Sequence, residues 1–320
     1  MHWGIVMTAD EPATLVRANV GWHLGSGASE VHVYLDRPDD PVAADLAAIS
    51  GCHVTVCDAA HWRALSRKGR PEAQIRRQSL NANHALAASG ADWLVHLDAD
   101  EFLSVTGDLA AELHAVAPLG AELALPVWER AYLTPPGGIF DGVFRGSTKA
   151  AKGVDAALFG RDAEYLVHGL MGHAAGKCAV PVESDFVLGV HWAFRGGQGR
   201  DFRAPQWPSK AARVLHFDGL TPRHWQIKLL RYAAHDPALL ERLVPEHRQR
   251  QIAEVARDAE ALALHDRLRM LKPEMAARLE ALGLLDQQGF APELALDLSV
   301  EAFDAALAAR YPDLWHRLNA

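Results

Sequence analysis

The sequence predicts an α/β fold with a mostly parallel sheet flanked by helices, followed by a helical C-terminal region. Three observations lead to this expectation. Short apolar runs typical of buried strands alternate with longer helical patterns over the first hundred residues. Turn-forming Gly, Pro, Asp and Ser residues separate these segments. A repeated strand–helix–strand order favours parallel strands joined by right-handed crossovers.

The predicted elements of this first part alternate strictly along the chain. Strands are predicted at residues 3–7, 31–35, 54–57 and 93–97, and helices at 12–24, 42–49 and 72–88. Asp10 is expected to cap the first helix. Pro12 suits the first turn of that helix, where the N–H that proline lacks has no intrahelical partner.

The rest of the chain is less regular. Strands are predicted at residues 123–128 and 186–192, with glycine-rich loops between them and an exposed stretch at 196–208. From residue 222 onward the pattern is helical, and the alternating charges of 248–268 are interpreted as a solvated helix surface. We therefore expect one large domain at residues 1–220 and a helical region at 221–320.

Composition argues against several classes of protein. A chain of 320 residues that is 49% hydrophobic can bury a substantial core, and its net charge of −8 argues against nucleic-acid binding by phosphate neutralisation. No apolar run reaches the roughly 18 residues that a membrane span needs. The N-terminus does not resemble a signal peptide, and three cysteines are too few for a disulfide framework. A cytoplasmic location is the expectation; the oligomeric state is left open.

The most informative segment is the fourth predicted strand and the acids that follow it. Asp98, Asp100 and Glu101 come directly after an apolar run. Alternation along an extended chain puts Asp98 and Asp100 on one side, so both can reach one hard cation. Carboxylates this close repel one another unless a cation or hydrogen bonds compensate. The cluster predicts a Mg²⁺ or Mn²⁺ site that holds a diphosphate; the alternative is a turn that caps a helix.

Acidic residues also follow other predicted strands. Thr8, Asp10 and Glu11 follow the first strand, and Asp36 follows the second. Ligands of open parallel sheets bind beyond the carboxyl ends of the strands. We therefore expect these residues and the acidic cluster to share one edge of the sheet.

The segment 93–102 resembles the Asp-x-Asp signature of nucleotide-sugar glycosyltransferases with the GT-A fold, a Rossmann-like sheet. The similarity is greatest to the bacterial family 2-like glycosyltransferases, since residues 74–81 (Gln-Ile-Arg-Arg-Gln-Ser-Leu-Asn) also resemble a helix of that family. The resemblance covers residues 3–105 well and continues in patches to about residue 232.

The resemblance implies a role for each matching position. Asp100 is the implied main metal ligand, and Asp98 lies near the ribose or the metal. The implied contacts to the nucleotide sugar are made by Thr8, Asp10 and Glu11 around the nucleoside, Asp36 at the base or ribose, and Arg77 at the nucleotide or its phosphates. For Arg77, a surface cation among other basic residues is an equal alternative.

Three further residues are candidates outside the strand ends. His216 is expected to complete the metal shell, as a late histidine does in many GT-A enzymes, and neutral imidazole is a good ligand for Mn²⁺-type ions. His191 is its rival and a candidate catalytic residue. Lys177 follows a glycine and could hold a phosphate as a point charge, with a solvent-facing lysine as the alternative.

Sugar transfer with inversion needs a general base on the acceptor hydroxyl. The candidates are Glu129, after a predicted strand, and Asp141. The resulting expectation is an inverting, hexosyltransferase-like enzyme that uses a nucleotide-diphosphate sugar, Mn²⁺ or Mg²⁺, and a glycan or other hydroxyl acceptor. The alternatives are a nucleotidyltransferase on a similar fold and a non-catalytic nucleotide-sugar-binding module. Neither the sugar, the base nor the acceptor can be named from the sequence.

Overall fold

The computed structural model describes residues 1–149, 151, 153–196, 202–234, 240–241, 244–257, 261–292 and 296–319. These residues form two compact units, the first comprising Met1–Pro126 and Ala175–Val214 and the second Val127–Ala174 and Leu215–Ala320. The predicted division at residue 220 is a single boundary, whereas each unit contains two stretches of the chain. The difference arises because residues 127–174 belong with the C-terminal part.

The helices and strands have the following bounds. The strands are β1 (Trp3–Ala9), β2 (Glu30–Leu35), β3 (Cys52–Val56), β4 (Trp93–His96), β5 (Glu101–Val105), β6 (Glu122–Leu125), β7 (Val127–Ala131), β8 (Val143–Gly146), β9 (Lys177–Pro181), β10 (Phe186–Leu188), β11 (Ala193–Arg195), β12 (Gln206–Pro208), β13 (Ala212–His216) and β14 (Leu285–Asp286). The α-helices are α1 (Ala13–Gly25), α2 (Val42–Ala47), α3 (Ala59–Leu65), α4 (Gln74–Ala88), α5 (Leu109–Val116), α6 (Asp155–Phe159), α7 (Pro222–Ala233), α8 (Glu246–Arg257), α9 (Ala261–Arg269), α10 (Pro273–Ala281), α11 (Val300–Arg310) and α12 (Pro312–Arg317). Short 3₁₀ turns lie at Ala117–Leu119 and Gly160–Tyr165.

A large sheet organises the first unit. Within the described residues its strand order is β12-β6-β9-β4-β1-β2-β3. Strands β4, β1, β2 and β3 are parallel, whereas β9 runs antiparallel to both of its neighbours, β4 and β6. The predicted α/β class with a mostly parallel sheet is confirmed. The strand order reverses between β1 and β4, and such a reversal opens a ligand crevice at the carboxyl ends of the strands.

The core of this unit explains why α4 lies against the sheet. Ala82, Ala85 and Leu86 form its apolar face and pack against Val6 of β1 and Leu94 of β4. Strand β2 is buried along its whole length, as expected of a parallel strand covered on both faces. Hydrophobic burial on this scale is the main stabilising contribution to such a sheet.

Several local predictions are wrong for identifiable reasons. Asp10 does not cap α1, whose N-cap is Pro12 without a side-chain hydrogen bond. The predicted strand 123–128 is two strands, because Pro126 lacks the N–H that a continuous ladder needs. The predicted strand 186–192 contains only β10, and residues 189–192 form the turn that leads to its antiparallel partner β11. Helix α3 was not predicted, and residues 197–201 and 258–260 of the predicted segments lie outside the described residues.

The second unit combines a small antiparallel arrangement with helices. Strand β8 pairs with β7 and with β14. Helices α7, α8 and α9 pack around the fully buried Trp225, with Leu229, Ile252 and Leu264 in the same cluster. The predicted helical C-terminal region is therefore confirmed. No helix among the described residues is both long enough and apolar enough to cross a membrane.

Candidate functional site

The acids after β4 form a closed turn. The Glu101 N–H donates to the Asp98 carbonyl at 3.0 Å, and the Glu101 carboxylate accepts from the Asp98 N–H at 2.7 Å. The Asn19 side chain of α1 donates to the carbonyls of Ala99 and Glu101 at 3.0 and 2.9 Å. The turn leads into strand β5, so the predicted alternative of a helix cap is wrong. These four hydrogen bonds fix the backbone that carries Asp100.

A buried histidine fixes Asn19 in turn. Nδ1 of His23 lies 2.8 Å from the Asn19 carbonyl oxygen and donates to it, and Nε2 accepts from the Leu103 N–H at 3.0 Å. Both roles require the neutral ring with its proton on Nδ1. Burial lowers the pKa of His23 to about 3 and outweighs the opposing hydrogen bond to Asn19. His23 is therefore neutral at physiological pH and joins α1 to β5.

The charges of the turn are compensated from inside the protein. Nζ of Lys177, at the start of β9, lies 2.8 Å from Oδ2 of Asp98 and 2.9 Å from Oε2 of Glu101. The side chain of Lys177 is fully buried. The Gln78 amide of α4 donates to Oδ1 of Asp98. The solvent-facing alternative for Lys177 is wrong, and its ammonium is bound to two carboxylates.

These ion pairs determine the charge states of the turn. Burial disfavours both charged forms, but the two carboxylates outweigh it and hold the pKa of Lys177 above its usual value. Burial likewise opposes ionisation of Asp98, and the Lys177 ammonium outweighs it, so the pKa of Asp98 lies below its usual range. Asp100, the third carboxylate, is only 5% exposed.

Asp36 follows β2 beside a cavity of about 290 Å³. Its Oδ2 accepts from Arg70 at 2.8 Å and from Nε of Arg77 at 3.1 Å. Among the described residues, neither Oδ1 of Asp36 nor Nε1 of Trp62 has a hydrogen-bond partner, and both residues line the cavity. An unsatisfied buried acceptor and an unsatisfied buried donor are costly, so their presence in two residues of the cavity wall marks this part of the sheet edge.

Arg77 is not a surface cation. It is 8% exposed and, besides Asp36, donates to the carbonyls of Pro71 and Glu72 at 3.0 and 2.6 Å. It therefore anchors the segment that precedes α4. Arg77 lies next to Asp36 at the same sheet edge, and its contact with a nucleotide or its phosphates stays a prediction.

The last residues of β1 and those that follow it lie at this edge too. Thr8 Oγ1 accepts from Asn81 of α4 at 3.0 Å, and Asp10 accepts from Arg37 at 2.6 Å. Glu11 is half-buried next to the start of α1. Each of the three keeps some exposure, which a contact with a ligand requires.

His191 lies in the same unit. Its Nδ1 donates to the carbonyl of Gly176, the residue before Lys177, at 3.0 Å. Its ring lies 5.7 Å from that of Trp192. The ring is partly exposed, and its catalytic and metal-binding roles both stay predictions.

Glu129, the predicted general base, lies in the second unit with its carboxylate fully engaged. Oε1 accepts from Arg145 at 2.9 Å and from the Met171 N–H at 2.7 Å, while Oε2 accepts from the Gly172 N–H at 2.6 Å. Burial disfavours its charge, but the guanidiniums of Arg145 and Arg269 outweigh it and lower the pKa of Glu129. A buried carboxylate with a lowered pKa is a weak base, so this geometry favours a structural role.

Replacing Glu129 by Gln is expected to destabilise the protein by about 3 kcal/mol, because the Arg145 guanidinium then stays buried without a charged partner. Urea unfolding of the variant measures this, with the exposed Glu274→Gln as the matched control. Wild-type stability combined with complete loss of transfer would instead favour the base role.

His216 ends β13 in the second unit and is buried. One of its ring nitrogens lies within 4.8 Å of a ligand atom of His173, and one lies within 4.8 Å of a carboxylate oxygen of Asp218. Gly172 permits this packing, since a Cβ there would lie 2.5 Å from Cε1 of His216. Asp218 is held by both terminal nitrogens of Arg248, at 2.8 and 2.7 Å, so the interpretation of Arg248 as part of a solvated surface is wrong.

Several residues that hold the turn or the end of β1 were given no role from the sequence: Gln78 binds Asp98 and Asn81 binds Thr8. Gln78 and Asn81 lie three positions apart on the otherwise apolar face of α4, and both are buried. Polar residues on a core-facing stripe are a signal that sequence can supply. Asn19 and His23 form a second such pair, four residues apart on α1. Their partners lie some 80 residues away, and no local pattern identifies them.

Comparisons with known proteins give distant matches. No protein-family model matches the chain, and no curated protein matches it. Similar solved structures include residues 1–349 of TarS from S. aureus, with 12% identity, 83% of this chain and 72% of that chain covered, and a TM-score of 0.34. Glucosyl-3-phosphoglycerate synthase from Mycobacterium tuberculosis, in complex with phosphoglyceric acid, matches at 18% identity over 57% of each chain, with a TM-score of 0.30.

A third solved structure belongs to a different class of enzyme. CMP:2-keto-3-deoxy-manno-octonic acid synthetase with CTP matches at 16% identity over 40% of this chain and 53% of that chain, with a TM-score of 0.27. Similarity at these levels assigns no activity, so the functional argument depends on the geometry of the site.

Proposed function

We propose that this chain is an inverting, metal-dependent glycosyltransferase of the hexosyltransferase type with a GT-A-like fold. It transfers a sugar from a nucleotide-diphosphate donor to a hydroxyl of a glycan or another acceptor. The observation that carries the proposal is the grouping of polar strand ends at one edge of the first unit's sheet. Ala9, Leu35 and Val56 are register partners, and His96 pairs with Val6, so the residues after these strands are neighbours.

The Asp36 cavity supports a nucleoside-binding role. Its lining includes the carboxylate residue Asp36, the guanidinium residue Arg70 and the aromatic residue Trp62, which together suit a polar ring. Thr8 at the end of β1, and Asp10 and Glu11 after it, are proposed to line the ribose side. A pocket with few polar groups of defined position is typical of small-molecule sites.

The residues present fit a divalent cation. Mg²⁺ is often held by one or two carboxylates together with substrate phosphate oxygens, and Mn²⁺ also accepts imidazole. Asp100 is the proposed carboxylate ligand, and His216 stays the predicted imidazole ligand. When bound, the cation neutralises charge that develops on the leaving diphosphate.

The chain's own groups then position the reactants. The hydrogen-bonded turn holds Asp100 in place before substrate arrives, which lowers the cost of ordering it during the reaction. Asp98 keeps a partly exposed carboxylate, suited to a ribose hydroxyl. The general base is not assigned, because Glu129 is occupied by its structural partners. The three cysteines are buried and unpaired, which fits the proposed cytoplasmic location.

A thermal-shift panel tests the donor part of the proposal. UDP, dTDP, GDP, CDP and ADP are compared with and without Mn²⁺. At about 100 times its Kd, the correct nucleotide stabilises the folded state by about 2.7 kcal/mol and raises Tm by roughly 5 °C or more. The Asp36→Asn variant should lose most of this shift. The absence of any shift across the panel would contradict the proposal.

Turnover distinguishes the proposal from its alternatives. Release of sugar or of nucleoside diphosphate from the selected donor supports a glycosyltransferase. Release of pyrophosphate from a nucleoside triphosphate would indicate a nucleotidyltransferase, although the segment Thr8-Ala9-Asp10-Glu11-Pro12 lacks the glycine-rich basic loop usual there. Binding without turnover over a set of acceptors would indicate a binding module.

A further inference from the structure

We propose that Lys177 is a built-in cation that withdraws Asp98 and Glu101 from metal binding, so that the Asp-x-Asp turn supplies its metal contact through Asp100. The inference deepens the metal part of the proposed function and rests on it only in that respect. Lys177 is thereby a positioning residue, which acts through the carboxylates it holds.

Lys177 contacts both neighbouring carboxylates directly. Its ammonium lies 2.8 Å from one oxygen of Asp98 and 2.9 Å from one oxygen of Glu101, both at ion-pair distance. The second oxygen of Asp98 accepts from Gln78, and the Glu101 oxygen that meets Lys177 also accepts from the Asp98 N–H. A cation that bound Asp98 would have to displace one of these partners, and a cation at Glu101 would have to share that carboxylate with the ammonium.

Burial strengthens the ion pairs of Lys177. Glu101 and Lys177 have fully buried side chains. A buried ion pair is strongly disfavoured when one partner is removed or a competing charge enters, because the remaining charge has no water to solvate it. A divalent ion next to Lys177 would be repelled by the ammonium at short range. Lys177 thus favours a metal site that uses one carboxylate of the turn, Asp100, over a site that uses all three.

The place of Lys177 in the sheet also restricts its movement. It is the first residue of β9, an interior strand, and is paired with Leu125 of β6. Because its side chain is also fully buried, the ammonium does not move out into solvent as that of a surface lysine does. The turn therefore keeps its compensating charge whether or not a metal is bound.

Titration of the free protein with Mn²⁺, followed by electron paramagnetic resonance of the unbound ion, tests the inference without any sugar donor. Lys177→Met should bind Mn²⁺ at least about tenfold more tightly than wild type, since two carboxylates join the ligand set and affinity rises with ligand charge. Exposed Lys210→Met is the matched control and should leave the affinity unchanged. Unchanged or weaker binding in folded Lys177→Met overturns the inference.

Three further variants distinguish the remaining explanations. In Lys177→Met/Asp98→Asn/Glu101→Gln the gain should disappear, and a gain that persists there also overturns the inference. If Lys177→Met does not fold, Asp98→Asn and Asp100→Asn decide. Asp98→Asn should change the Mn²⁺ affinity less than twofold and Asp100→Asn should lower it more than about tenfold. A large loss in Asp98→Asn contradicts the inference about Lys177, whereas no loss in Asp100→Asn contradicts the proposed metal site itself.

Discussion

Replacing Asp100 by Asn is expected to lower the kcat of sugar transfer at least about a thousandfold, because a metal ion that neutralises a leaving group contributes several kcal/mol to the transition state. The amide has nearly the same shape as the carboxylate but lacks its charge. The turn around it is held by backbone and Asn19 hydrogen bonds that do not involve this side chain. The loss should therefore appear in catalysis with little loss of stability.

Initial rates at saturating donor with Mn²⁺, together with a urea unfolding curve, measure both quantities. Asp45→Asn is the matched control, since Asp45 lies on α2 with a side chain that is 62% exposed. Activity within tenfold of wild type in Asp100→Asn would show that this carboxylate is not the metal ligand.

Acidification is expected to destabilise the protein through His23. Its pKa is about 3 in the folded protein and 6.5 when unfolded, so between these values only the unfolded state binds the proton. The contribution of His23 to the free energy of unfolding is fully present above pH 6.5 and decreases as the pH falls toward 3. The slope is about 1.4 kcal/mol per pH unit, which amounts to nearly 5 kcal/mol across the window. Protonation would also place an N–H on Nε2 against the Leu103 N–H.

The His23→Gln variant isolates this contribution. The glutamine amide can both donate and accept a hydrogen bond, as the neutral imidazole does, but it does not titrate. The variant should be less stable than wild type at pH 7.5, and the difference should shrink as the pH falls from 6.5 toward 4. Urea unfolding at several pH values measures it, with His53→Gln, 56% exposed, as control. A difference that stays constant with pH would contradict the assignment.

The first four strands could be predicted because each is specified locally. The apolar runs at β1, β2 and β4 are interrupted by clear turn residues, and parallel pairing follows from the intervening helices. The position of β9 between β4 and β6 could not be predicted, because it depends on long-range pairing and its sequence carries no mark of its partners. Helix α3 was not predicted either.

The candidate site likewise contains residues that the sequence identifies and residues whose roles depend on their neighbours in space. Asp36, Asp98 and Asp100 were identified from their places after strands, which is a local property. The roles of Lys177 and Glu129 depend on what lies next to them in space, and burial changed both interpretations. A lysine after a glycine is typical of phosphate sites, yet here two carboxylates bind it. A glutamate after a strand suggests a base, yet here an arginine and two N–H groups surround it.

The interior position of β9 in the sheet has a consequence for folding during synthesis of the chain. Strand β6 pairs only with β9 and β12 among the described residues, so it cannot join the sheet before residue 177 has left the ribosome. Until then β4 offers an unpaired hydrophobic edge, a template for aggregation. Closing the segment of about 80 residues between β4 and β9 costs about 4 kcal/mol in chain entropy. A truncated chain that ends before β9 should therefore associate with other chains, and its acidic turn would lack its counter-ion.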